Sequence, residues 1–75
     1  MTKLQKEIKN RFKNLYFSYN NRLKFCTICW DNYEKIIQIQ HNGSIVYKQS
    51  FNGERFITKK ECIKMLKLLS LSNFS

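Results

Sequence analysis

Asn42-Gly43 and Asn52-Gly53 constrain this chain most, because they contain both of its glycines and interrupt a run of β-forming residues between 38 and 60. Asn-Gly between apolar runs is a strong short-range hairpin signal, since a type I′ turn needs positive φ at both central residues. The stretch therefore predicts two consecutive hairpins, a meander. A two-residue loop at Asn42-Gly43 would set Ile39 opposite Val46 and Ile37 opposite Lys48. That register makes Ile37, Ile39 and Val46 the core face and puts Tyr47 on the exposed face. The meander runs into Thr58-Lys59-Lys60-Glu61, a capping box that opens a basic helix.

The flanking segments complete the fold. Thr2-Lys3-Leu4-Gln5 is a second capping-box pattern, and Leu4, Ile8, Phe12, Leu15, Tyr16 and Tyr19 follow at helical spacing. They predict a helix over 3–17 with Lys3, Lys6, Lys9 and Lys13 on its wet side. Strands are expected at 23–30, 35–41, 44–51 and 54–57. A closing helix at 59–70 is expected to bury Cys62, Met65, Leu66 and Leu69 and to expose Lys60, Lys64 and Lys67. Ile57 and Cys62 have the spacing of a hydrophobic staple. Leu68 and Leu71 lie off the apolar stripe, and residues 71–75 are expected to fray. The chain of 75 residues is thus one small α+β domain, α-β-β-β-(β)-α, an antiparallel meander with both helices packed on one face.

Charge is unevenly placed. Residues 1–24 hold seven Lys or Arg and one Glu, residues 25–58 hold three of each sign, and residues 59–75 hold four Lys and one Glu. The ends are basic and the predicted sheet is neutral, within a formal net charge of +9. A small, strongly basic domain suits a polyanion: nucleic acid, an anionic membrane surface or an acidic protein. A lysine stripe is also simply the wet face of many amphipathic helices, and a lysine-rich chain can reflect AT-rich coding DNA.

Catalytic patterns are absent. His41 is the lone histidine, and no serine motif, carboxylate pair or glycine-rich phosphate loop accompanies it. No enzyme and no cofactor are predicted. Cys26-Thr27-Ile28-Cys29 is a C-x-x-C that, with His41 and Cys62, offers four candidate metal ligands. Their spacing fits no common zinc finger, and strand residues three apart point to opposite faces. The expected role of Cys26, Cys29 and Cys62 is therefore small apolar filler, with no metal, in a reducing cytoplasm. No apolar run reaches the roughly 18 residues of a membrane span.

Two resemblances extend these expectations. Phe56-Ile57-Thr58-Lys59-Lys60-Glu61-Cys62 with Leu66 resembles the segment that follows the three-stranded sheet in arm-type DNA-binding domains of phage integrases. Trp30, the Asn42-Gly43 turn and Tyr47-Lys48 fall where that family has its strands and turn. The likeness implies a sheet that enters a DNA groove. The element order, with Lys59-Lys60 opening the last helix, is similar to double-stranded-RNA-binding domains, where helix lysines grip phosphates across a groove.

The first functional expectation is a module that contacts DNA or RNA phosphates through Lys59, Lys60, Lys64 and Lys67, joined by Lys6, Lys9 and Lys13. Lys48, Arg55 and Tyr47 would add contacts from the sheet. The second is a small protein–protein inhibitor of the phage or mobile-element type. It would dock on an acidic or nucleic-acid-associated partner, a host nucleic-acid-processing enzyme. Either reading leaves room for a homodimer. A third is an amphipathic protein of the membrane surface.

Overall fold

A computed structural model describes residues 1–72. Its elements are α1 (Lys3–Arg11), β1 (Ser18–Asn20), β2 (Phe25–Trp30), β3 (Lys35–Ile39), β4 (Ile45–Gln49), β5 (Gly53–Ile57) and α2 (Lys59–Ser72). The five strands form one antiparallel sheet in sequence order. The α+β meander therefore matches the expected class, with one strand more than expected. Leu71 and Ser72, placed in the fraying tail by the sequence, belong to α2; residues 73–75 of that expectation lie outside the described residues.

Both helices begin where capping predicts. Thr2 Oγ1 accepts from the Gln5 amide at 3.2 Å, and Gln5 Oε1 accepts from the Thr2 amide at 2.8 Å. Thr58 Oγ1 accepts from the Glu61 amide at 3.1 Å, while the Glu61 carboxylate turns to Arg55 at 2.7 Å. Ile57 and Cys62, the staple pair, are both buried in the core.

The first helix is shorter than predicted. It ends at Arg11, where Phe12 leaves the helical region (φ −121°, ψ 62°). Phe12, Leu15 and Phe17 are buried, whereas Tyr16 is 84% exposed. From Leu15 the apolar spacing changes from three or four residues to two, which is the period of a strand. Leu15, at a bend, and Phe17 enter the core in the irregular segment that leads into β1. A four-residue turn, 21–24, follows. Asn20 Oδ1 accepts from the Arg22 and Leu23 amides at 2.9 and 2.8 Å, and Leu23 is exposed rather than in a strand.

The register of the central hairpin differs by one residue from the expectation. Ile39 pairs with Ile45, Gln38 with Val46 and Ile37 with Tyr47. The connection has three residues, not two. The Gly43 amide donates to the Gln40 carbonyl at 3.1 Å, and the Gln40 amide to the Ser44 carbonyl at 2.8 Å. Gly43 alone takes the left-handed region, at φ +92°. A type I turn followed by a left-handed glycine is the usual three-residue hairpin. A slip of one residue exchanges the two faces. Tyr47 and Ile45 consequently join Ile37 and Ile39 on the core side, and Val46 sits beside Gln38 and Phe56 on the other. Similarly, three residues separate the paired Gln49 and Gly53.

One core results. Ile8, Cys62 and Leu66 of the helices meet Cys26, Ile28, Ile37, Ile39, Ile45, Tyr47 and Ile57 of the sheet. Both helices thus cover the same face, and the opposite face has no covering layer among the described residues. Two tie points set the helices side by side. Glu7 pairs with Lys59, and the Ser70 hydroxyl donates to Asn14 Oδ1 at 2.9 Å. Both ties follow the same chain direction, so the two segments run parallel.

Gln5 joins the layers. It is fully buried, and its Nε2 donates to the Ile39 carbonyl at 2.8 Å and the Lys24 carbonyl at 3.1 Å. Those bonds fix the first turn of α1 against the end of β3 and the turn before β2.

Candidate polyanion-binding surface

Acidic residues are few, and most are used inside the strand layer or at its border. Lys35 pairs with Asp31 at 3.1 Å, Lys48 with Glu54 at 3.7 Å, Arg55 with Glu61 at 2.7 Å, and Lys59 with Glu7. The Lys59 ammonium beside Glu7 holds that carboxyl below its ordinary value. Asp31 raises the Lys35 ammonium, and Glu61 raises the Arg55 guanidinium.

Ten of the 14 basic side chains make no ion pair among the described residues. They are Lys3, Lys6, Lys9 and Arg11 on α1, Lys13 just beyond it, Arg22 and Lys24 in the β1–β2 turn, and Lys60, Lys64 and Lys67 on α2. All ten are exposed, and none lies in a strand. On α2, the turn of 3.6 residues places Lys60, Lys64 and Lys67 within roughly 60° of each other on the side opposite Cys62 and Leu66. Their steps along the axis are about 6 and 4.5 Å. On α1, Lys3 and Lys6 lie opposite Ile8, and Lys9 sits on the flank. Lys9 is near enough to the buried Cys26 to offset part of the rise that burial gives that thiol.

The structure separates the predicted contact residues into two groups. Lys6, Lys9, Lys13, Lys60, Lys64 and Lys67 are exposed and without ion pairs among the described residues. Lys59, Lys48 and Arg55 are engaged by carboxylates. Tyr47, expected on the exposed face, is 8% exposed. Its ring lies 6.2 Å from that of Trp30, nearly parallel at 23°, and the Arg55 guanidinium sits over it, 5.6 Å from its centre. The one-residue register shift accounts for this correction. Lys13 also leaves the predicted helical stripe, because α1 stops before it.

Sequence reasoning passed over Arg22 and Lys24 as contact residues. The signal was the single acid in residues 1–24; what it lacked was the Gln5 bond to the Lys24 carbonyl, which carries that turn to α1.

The cysteines occupy separate environments. Cys26 and Cys62 are buried and Cys29 is exposed. Among the described residues, no three His, Cys, Asp or Glu side chains come together as a metal site, and no helix is long and apolar enough to cross a membrane. No protein-family model matches the chain, and neither a curated protein nor a solved structure matches it.

Proposed function

We propose that this chain is a small nucleic-acid-binding module that meets phosphates with the lysines of its two helices. The supporting observation is the division of charge: strand cations are neutralised in place, whereas the ten helix and turn cations are not. Lys60, Lys64 and Lys67 form the leading row, with Lys6, Lys3 and Lys9 on the parallel segment beside it. Lys59 has a secondary part, because a phosphate must compete with Glu7 for it. Contacts of this kind hold and orient a nucleic acid without reading its sequence. They also release counterions, which makes affinity fall steeply with salt.

The test is titration with duplex DNA, duplex RNA and single strands at roughly 50 and 200 mM salt. Affinity is expected to fall by orders of magnitude across that range. The triple variant Lys60→Ala, Lys64→Ala, Lys67→Ala should flatten the logarithmic salt slope by roughly 3 for a duplex. No binding at the lower salt, or a slope unchanged in the triple variant, overturns the reading. A second reading, a small protein that docks on and blocks a nucleic-acid-processing enzyme, draws support from one separate observation: a groove of about 610 Å³ between residues 15–18 and β2 whose described lining residues carry no charge.

A further inference from the structure

The helices do not cover the core face of the sheet to its corner. Trp30 and Lys35 are paired neighbours at one end of that face, and Tyr47 lies one row further in. Between these three and the C-terminal half of α2 lies a cleft of about 370 Å³. That is the small end of the roughly 300–1,000 Å³ usual for ligand sites.

The walls of the cleft are apolar and its rim is polar. On the sheet side, the Trp30 and Tyr47 rings lie 6.2 Å apart and nearly parallel at 23°. On the helix side stand Met65, partly buried, and Leu68, 61% exposed. At the rim, Asp31 and Lys35 are paired at 3.1 Å and hold an acceptor and a donor side by side. Asp31 is the first of three successive left-handed residues (Asp31, Asn32 and Tyr33; φ 54°, 55° and 66°). Non-glycine residues take this region at a cost, and such strain concentrates at binding sites. One turn before Leu68 on the same helix is Lys64, a cation without an ion pair among the described residues. The rise between the two is about 6 Å.

We propose that this cleft receives one unpaired nucleobase of a strand whose phosphates lie on the α2 lysines. The lining chemistry specifies the occupant. Aromatic and aliphatic walls suit a flat ring, and the bases of single strands stack on aromatic side chains in this way. The Asp31–Lys35 pair is neutral as a whole, so the group inside carries no net charge. An edge with a donor beside an acceptor matches that pair, and base edges offer one. Lys64 supplies the cation just outside. Charge outside the cleft and none inside it is what a nucleotide presents. A base within a duplex is paired, stacked and out of reach. The site therefore rests on the phosphate-binding reading and narrows its ligand to a single strand or an unpaired loop.

The experiment compares labelled single-stranded oligothymidylate with a fully abasic strand of the same length, at roughly 50 mM salt. Trp30 is the single tryptophan, so its emission, excited beyond the absorption of the bases, reports on the cleft while anisotropy reports affinity. The expected result is quenching by the base-bearing strand alone, and an affinity roughly five- to a hundredfold above that of the abasic strand, the gain of one stacked base. Trp30→Leu should make the two strands bind alike. Leu68→Ser, at an exposed position, should narrow the difference and decides the matter if Trp30→Leu unfolds the protein. Equal affinity of the two strands with unchanged emission overturns the inference and leaves phosphate binding on the helices standing. A difference in affinity without quenching places the base elsewhere and also overturns it. Absence of binding by either strand overturns it too, and absence of binding by a duplex as well overturns the reading on which it rests. Finally, free thymidine should quench Trp30; quenching by N-acetylphenylalaninamide and not by thymidine would make the cleft a pocket for a protein side chain and overturn the inference.

Discussion

The helix layer and the strand layer of this molecule handle charge in opposite ways. In the strand layer, Lys35, Lys48 and Arg55 each have a carboxylate within 4 Å, and Arg55 additionally covers the Tyr47 ring. On the helices, charge of one sign accumulates, relieved by the Lys59–Glu7 pair. The difference is instructive because the same residue types serve both. A cation next to a carboxylate is part of the fold's own surface, worth little to stability when exposed. Like charges left together raise the free energy of the compact chain, and a polyanion relieves that repulsion on binding. Count alone does not locate a binding surface; the distribution of partners does.

The two layers depend on each other through Gln5, and breaking that link should produce the largest effect. Gln5→Ala removes the two side-chain bonds that span from α1 to the Lys24 and Ile39 carbonyls. It leaves a cavity in a fully buried position and takes one donor from each of the two carbonyls. Together these cost about 3 kcal/mol. For a domain of this size that lowers the unfolding midpoint by roughly 12–24 °C. Thermal and urea unfolding measure it; a loss below about 1 kcal/mol would mean that water or repacking replaces the amide and that the layers are joined by other contacts.

Helix α2 carries the same contrast on its own two sides, lysines outward and Cys62 inward. Burial pushes the Cys62 thiol up to about 12 from an ordinary 9.0. The folded state therefore favours the protonated form. Its contribution is fully present below about pH 9 and is lost as pH rises from there toward about 12, because the unfolded chain releases the proton first. The informative quantity is a difference, in which every group shared by the two proteins cancels. The stability advantage of the wild type over Cys62→Ala should shrink as pH rises past 9. A constant difference would show that the thiol is not desolvated. In a thiol-reagent assay at neutral pH, exposed Cys29 should react first, and buried Cys26 and Cys62 only on unfolding.

Local chemistry made much of this fold legible. Thr2/Gln5 and Thr58/Glu61 announce both helix starts, and the two Asn-Gly steps announce the reversals. What the sequence left open was set by competing geometries of nearly equal cost. Asn42-Gly43 suits a two-residue loop or a three-residue loop with glycine last, and the choice decides which face Tyr47 takes. Leu15, Phe17 and Tyr19 fit strand alternation, but Leu15, Tyr16 and Tyr19 also fit a helix, and the helical reading hid β1. Gln5 looked like a cap residue and nothing more. Its partner Ile39 is 34 positions away, and no local pattern encodes such a bond. The exposed lysine row on α2 was readable because a 14-residue amphipathic helix repeats its signal. The Lys59, Lys48 and Arg55 pairings were not, because each joins separate elements.

The smallest expected effect is the sharpest test of the contrast between layers. Lys35→Ala with Lys48→Ala and Lys60→Ala with Lys64→Ala each remove two positive charges, so both double variants carry the same net charge. The strand pair gives up exposed ion pairs, a stability cost of roughly 1 kcal/mol or less, and should change duplex affinity by less than about twofold. The helix pair gives up two cations without ion pairs and should weaken binding by about tenfold or more at moderate salt. Fluorescence anisotropy with one labelled duplex compares them directly. Equal weakening would mean that the overall field of the protein attracts the polyanion and that the position of the lysines is immaterial. A selective effect of the helix pair would tie binding to the surface where the sequence supplies cations and the fold supplies too few carboxylates to neutralise them.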